Sequence, residues 1–194
     1  MNARYYKLGV LFIALLFAVV FSGFGSCHMD NVKYTGGGTI PSAQKSCIDG
    51  ETANFGFVLD NCGDEIKGGI TYHDQAFDIE DWLYRCNDGA GVGNKEAQAL
   101  AQGVKFTAEW TGAANFLDGV GSAEFNYESQ NPFCRGDGEG LAWVVDLGEG
   151  AGSHGVLCIK ITSGVFNHYF NCYAEVSGNI QQHECPPAGP PIPD

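Results

Sequence analysis

The chain has 194 residues, 44% of them hydrophobic and 12% aromatic, with a formal charge of −13. That composition is too apolar for a disordered chain, and its acidic balance offers no basic face to phosphates, which argues against a nucleic-acid partner. Glycine, at 28 residues, is about twice as frequent as usual and favours turns and strands over long helices.

Arg4 and Lys7 precede the apolar run from Leu8 to Phe21, and small residues follow from Ser22 to Ser26. A charged start, a short apolar middle and a small-residue exit are the parts of a secretory signal, assigned to residues 1–26. The run is shorter than the roughly 20 residues of a membrane-spanning helix. About 168 residues remain, enough for one domain. Phe24-Gly25-Ser26-Cys27 resembles the bacterial lipobox, in which a cysteine at the cleavage point takes a lipid; Phe24 stands where an aliphatic residue is usual. The alternative is ordinary cleavage after Gly25, which leaves Cys27 free for a disulfide.

Residues 27–35 are expected to form a polar tether and residues 36–185 a β domain. Period-two alternation recurs along the domain between Gly, Asn and Asp. Phe55 and Phe57 share a face, as do Ile66, Ile70 and Tyr72. Val104, Phe106, Ala108 and Trp110 alternate with Lys105, Thr107 and Glu109. Ala123, Phe125 and Tyr127 continue the pattern, and Leu141, Trp143, Val145 and Leu147 are expected to face inward. With a final hairpin around Val165, this predicts about seven antiparallel strands in an all-β sandwich or barrel. Residues 76–103 break the rhythm and read as an excursion with one short helix, because Asn94 stands as a cap before a run of good helix formers. Residues 186–194 hold five of the seven prolines and predict an extended tail.

Eight cysteines without a Cys-x-x-Cys pair do not fit a zinc or thioredoxin site, and in an exported chain they read as disulfides. The hairpin places Cys158 opposite Cys172, which predicts a bridge between them. Lipid on Cys27 leaves an odd number of cysteines, whereas four bridges fit an unlipidated chain.

Gly36-Gly-Gly-Thr-Ile-Pro-Ser42, Ala53-Asn-Phe-Gly-Phe57, Gly69-Ile-Thr-Tyr-His-Asp74, Val145-Asp-Leu-Gly-Glu-Gly150 and Ser177-Gly-Asn-Ile-Gln-Gln-His183 together resemble an uncharacterised β-rich domain of bacterial exported and envelope proteins. The resemblance covers roughly residues 36 to 183. It implies an all-β exported domain and carries no catalytic residues.

Several sets of residues were weighed for chemistry. Ser153 stands in a turn that resembles a nucleophile elbow, but an apparent strand follows it where a helix is needed. The glycines at 89–93 precede the helix without the strand-helix-strand unit of a nucleotide site. His73 with Asp74 is a candidate transition-metal pair, and Asp137, Glu139, Asp146 and Glu149 are candidate calcium ligands, each without a recognised spacing. Glu109, Glu124 and Glu128 are expected to face solvent. No metal or cofactor is therefore expected. The expected function is a non-catalytic binding or structural role at the cell envelope, with the membrane as partner through Cys27. The alternatives are a secreted hydrolase or metal-dependent enzyme, and a carbohydrate-binding sandwich. Trp82, Tyr84 and Arg85 are the candidate ligand contacts, since Trp110 and Trp143 alternate with apolar neighbours.

Overall fold

The computed structural model describes residues 32–43, 51–86, 94–117, 120–148, 155–173 and 176–186. The expected signal at residues 1–26, Cys27, Cys47, the glycines at 89–93, Glu149, Ser153 and the expected tail beyond Pro186 lie outside them. The architecture is all-β. β1 (Val32–Pro41), β2 (Thr52–Asp60), β3 (Lys67–Asp74), β4 (Val104–Leu117), β5 (Val120–Ser129), β6 (Asp137–Val145), β7 (Val156–Ile161) and β8 (Phe170–Tyr173) pair antiparallel in sequence order, and β9 (Ser177–Glu184) returns to pair with β1. All nine strands belong to one sheet that curls into a half-barrel, so of the two expected architectures the two-layer sandwich is set aside. Between β3 and β4 lie a 3-10 helix (Glu80–Arg85) and α1 (Asn94–Gln102), the expected excursion.

Alternation decides which side chains enter the interior. Along β4, Val104, Phe106, Ala108 and Trp110 are buried, whereas Thr107 and Glu109 are exposed, as the sequence predicts. Phe106 stacks on Phe125 of β5 with ring centroids 5.7 Å apart, and Trp110 meets Phe125 edge-on at 6.0 Å. The Tyr34 ring of β1 lies beside Gly121 of β5 and Val144 of β6, so the curl brings opposite parts of the sheet into one packed core. Each such ring contributes roughly 1.5–3 kcal/mol by leaving water.

Three expectations are corrected. The sheet has nine strands where about seven were expected, and the two missed, β1 and β9, pair with each other. Neither alternates: β1 contains Gly36-Gly37-Gly38, and in β9 only Ile180 is buried. Their ladder passes through Gly38 opposite Gly178, where a Cβ on either would run into the other backbone. The tether is shorter than 27–35, because β1 already begins at Val32. In β6 the inward set is Gly140, Ala142 and Val144; Leu141, Trp143 and Val145 are half-buried on the outer face, and Leu147 is exposed. Both faces of β6 are apolar, so its pattern leaves the phase open. The Phe125 ring decides it by occupying the space that a side chain at Gly140 needs.

Among the described residues, three disulfides tie the loops to the sheet. Cys62–Cys185 joins the β2–β3 loop to the end of β9, Cys86–Cys134 joins the excursion to the β5–β6 loop, and Cys158–Cys172 crosses from β7 to β8. The register sets Cys158 directly opposite Cys172. Ile161 N donates to Tyr169 O at 2.9 Å, so by alternation Cys158 and Cys172 occupy a non-hydrogen-bonded pair, where side chains stand closest.

Candidate functional site

The β3–β4 excursion and the loops that follow β1, β5 and β7 gather at one end of the sheet, around a buried polar cluster centred on Asp74. Asp74 closes β3 with its side chain inward and no exposure to solvent. Ser42 Oγ donates to Oδ1 at 2.6 Å, while Ala43 N and Tyr169 OH donate to Oδ2, each at 2.8 Å. Three donors and no acceptor converge on it, the pattern of a carboxylate.

The hydroxyl contacts then order themselves. Tyr169 spends its proton on Asp74, so the 2.6 Å contact between the two hydroxyls runs from Tyr72 to Tyr169. Asn171 Nδ2 in turn donates to Tyr72 OH at 2.7 Å and to the Pro41 carbonyl at 3.0 Å. That carbonyl accepts only, which fixes the amide orientation and leaves Asn171 Oδ1 buried without a partner among the described residues. Burial, and then the Asp74 charge, push the Tyr72 hydroxyl well above the ordinary phenol value against the opposing hydrogen bonds of Tyr169 and Asn171, while burial, Tyr72 and Asp74 all raise that of Tyr169, so both remain donors at neutral pH.

The excursion covers this cluster. Phe77 packs edge-on against Tyr169, with centroids 4.9 Å apart, and lies 5.1 Å from the Trp82 ring. Arg85 sits over the Trp82 ring, 5.5 Å from its centroid, and its Nη1 donates to Asn167 O at 2.6 Å. The structure thus brings Trp82 and Arg85 together, half-buried and engaged with their own chain; the Tyr84 side chain is outside the described set. Asn131, fully buried, holds the end of α1 by donating to Ala99 O and Gly103 O.

The other candidate sets are not assembled. His73 and Asp74 point to opposite faces of β3, as neighbours in a strand must. His73 Nε2 lies 3.2 Å from Gln102 O on the outer side, and partial burial lowers its pKa. Asp137 and Asp146 stand at opposite ends of β6, and Asp146 accepts from Gly148 N and Gln182 N, each at 2.8 Å. Among the described residues no group of three or more His, Cys, Asp or Glu is placed to hold a metal ion. Glu109, Glu124 and Glu128 are exposed on the outer face, as expected.

A large recess lies on that outer face. An open groove of about 1100 Å³ crosses β2 to β5, over the backbone of Gly56 and Gly69 and between Thr71, Thr107, Glu109, Asn126 and Glu128. A smaller recess of about 410 Å³ adjoins it at Asn54, His73, Lys105 and Gln130. Neither this groove nor the Asp74 cluster is among the sites expected from the sequence. The cluster had a signal: Asp74 and Asn171 follow Tyr72 and Tyr169 by two residues, hence on the same inward face.

The chain matches no protein family, no curated protein and no solved structure with which it was compared.

Proposed function

We propose that the chain is an exported β domain, anchored through lipid on Cys27, with a non-catalytic binding role at the cell envelope. Export accords with the leader and with the three intramolecular disulfides. The observation that carries the anchor is the separation of the two remaining cysteines along β1. Six of the eight are bridged, which leaves Cys27 before β1 and Cys47 after it. Val32 and Ser42 lie about 33 Å apart along an extended strand. Ser42 N bonds Glu51 O at 3.0 Å, so the 43–50 segment returns to its starting point. Cys27 reaches at most about 17 Å from Val32, and Cys47 about 14 Å from Glu51, so a bridge of about 5.5 Å between them needs both segments drawn out almost fully toward each other. That cost favours the lipid over a fourth bridge.

A non-catalytic role accords with the chemistry of the buried cluster: both Asp74 oxygens are occupied and the tyrosines are held as donors. The open surface is the outer groove. Its Thr71, Thr107 and Asn126 walls favour a polar ligand such as a glycan, which moves the carbohydrate reading from Trp82 to β2–β5.

Membrane fractionation of the wild type and Cys27→Ser, with mass spectrometry of the N-terminal peptide, tests the anchor. The expected result is a lipid mass on wild-type Cys27 and a soluble, folded variant. A soluble wild type beginning at Ser26, with Cys27 bridged to Cys47, would overturn it.

A further inference from the structure

The start of β1 also fixes which end of the domain meets the bilayer. Resting on the lipid-anchor reading, we infer that the β2–β3 loop, the Cys62–Cys185 bridge and the end of β9 face the membrane, while the Asp74 cluster and its covering excursion point away from it. Only residues 28–31 separate Cys27 from Val32, so the strand start stays within about 17 Å of the lipidated residue. Val32 is fixed within the fold: its carbonyl accepts from Asn61 N at 3.1 Å, it pairs with Glu184, and next to it Lys33 bonds Asp60 at 3.2 Å. The loop and the last strand are therefore carried to the same place. β1 then runs away from the lipid for about 30 Å before reaching Pro41 and the Asp74 cluster.

Charge keeps the domain upright. Asp64, Glu65 and Glu184 are exposed around the Lys33–Asp60 pair, and Lys67 is the exposed cation beside them. This acidic end is repelled by anionic headgroups within a Debye length of about 8 Å, while the lipid prevents its escape. The balance keeps the far end presented outward. This end thus faces the lipid surface only because the covalent anchor holds it there, and encounters with other molecules fall to the far end and to the outer groove.

Energy transfer tests the orientation in the full lipidated chain, reconstituted in phosphatidylethanolamine and phosphatidylglycerol vesicles with an acceptor dye on the headgroups. A donor dye is attached through a ketone-bearing phenylalanine at position 64 or at position 135, an exposed site in the β5–β6 loop at the far end. Position 64 should transfer more efficiently than position 135 by roughly twofold or more, given a strand length of separation. Equal or reversed transfer from a chain whose Cys27 carries lipid by mass spectrometry would overturn the orientation alone. A chain without lipid on Cys27 would overturn the anchor and the orientation together. Disulfide mapping of both labelled chains, matching the wild type, checks that the labels leave the fold intact.

Discussion

Tyr169 donates its hydroxyl proton to Asp74 at 2.8 Å across 95 positions of sequence, and both side chains are fully buried. This bond ties the entrance of β8 to the end of β3 and orders the proton of Tyr72 behind it. Tyr169→Phe removes one donor from a buried carboxylate and leaves Tyr72 without its acceptor. Hydrogen bonds to charged groups contribute about 1.5–3 kcal/mol, so the variant should lose roughly that much stability in a denaturant titration. Asp74→Asn should cost at least as much, because an amide brings donors to a point where three donors already converge. A loss within error of zero for both variants would refute the account.

Alkaline pH should unfold the protein over a defined window. Burial raises Tyr34 and Tyr127 to about 12, and Tyr72 and Tyr169 rise further still. Above the ordinary phenol value near 10, the unfolded chain gives up protons that the folded chain retains, so stability falls as pH rises from about 10 upward. Absorbance of ionised tyrosine near 295 nm should rise together with the loss of β circular dichroism. Full tyrosine ionisation with intact circular dichroism would contradict the burial of these rings.

Acid acts in the opposite sense at His73. Its folded value lies below that of the free side chain, so the stability from keeping it neutral is present above about pH 6.5 and is lost as pH falls below. His73→Gln should flatten the stability profile between about pH 6.5 and 5 and leave it unchanged at pH 8. A variant with the wild-type slope would exclude His73 as a source of acid sensitivity.

Two disulfides differ in the length of chain they close. Cys158–Cys172 spans 14 positions and Cys62–Cys185 spans 123. On chain-entropy grounds the short loop is worth about 3 kcal/mol and the long one nearer 5. Cys62→Ser with Cys185→Ser should therefore lower the guanidinium midpoint more than Cys158→Ser with Cys172→Ser. The reverse order would mean that native-state packing outweighs the unfolded chain.

Gly140→Val places methyl groups where the Phe125 ring lies and should cost about 1–3 kcal/mol by overpacking. Pairing it with Phe125→Leu should recover part of that loss. A double variant that loses the sum of the two single effects would show that the two sites do not share the space.

Strands with one apolar and one polar face were legible before the structure: β4 from Val104 to Trp110 and β5 from Gly121 to Ser129 alternate residue by residue, and the Cys158–Cys172 register follows from two strand-like runs around a short turn. β1 and β9 were not legible, because the glycines at 36–38 interrupt the inward face that Val32, Tyr34 and Ile40 form in β1, and β9 offers only Ile180 to the core. The phase of β6 escaped because period two carries no sign when both faces are apolar. Asp74 was noticed beside His73 for chemistry, yet strand geometry separates those two and assigns Asp74 to Tyr169, a partner no local spacing reveals. The outer groove arises from four strands side by side, with two glycines removing side chains from its floor, and a linear pattern does not display that juxtaposition.

The meander from β1 to β8 leaves β1 with one neighbour missing until β9 arrives. β8 and β9 head in the same direction and are separated by residues 174–176, and Val176 N bonds Gly155 O at 3.3 Å where they meet. The last strand of the chain thus completes the first. As the polypeptide emerges from its N-terminus, β1 appears early and waits with an unpaired edge for nearly the whole length of the chain. Pairing across such a sequence distance is slow, and an open edge invites other chains. The glycines and polar residues of β1 make that waiting edge a poor template for other chains, and a truncation before Ser177, which removes the partner of β1, the core side chain Ile180 and the Cys185 end of a bridge, should yield a product that stays monomeric but is less stable than the full chain.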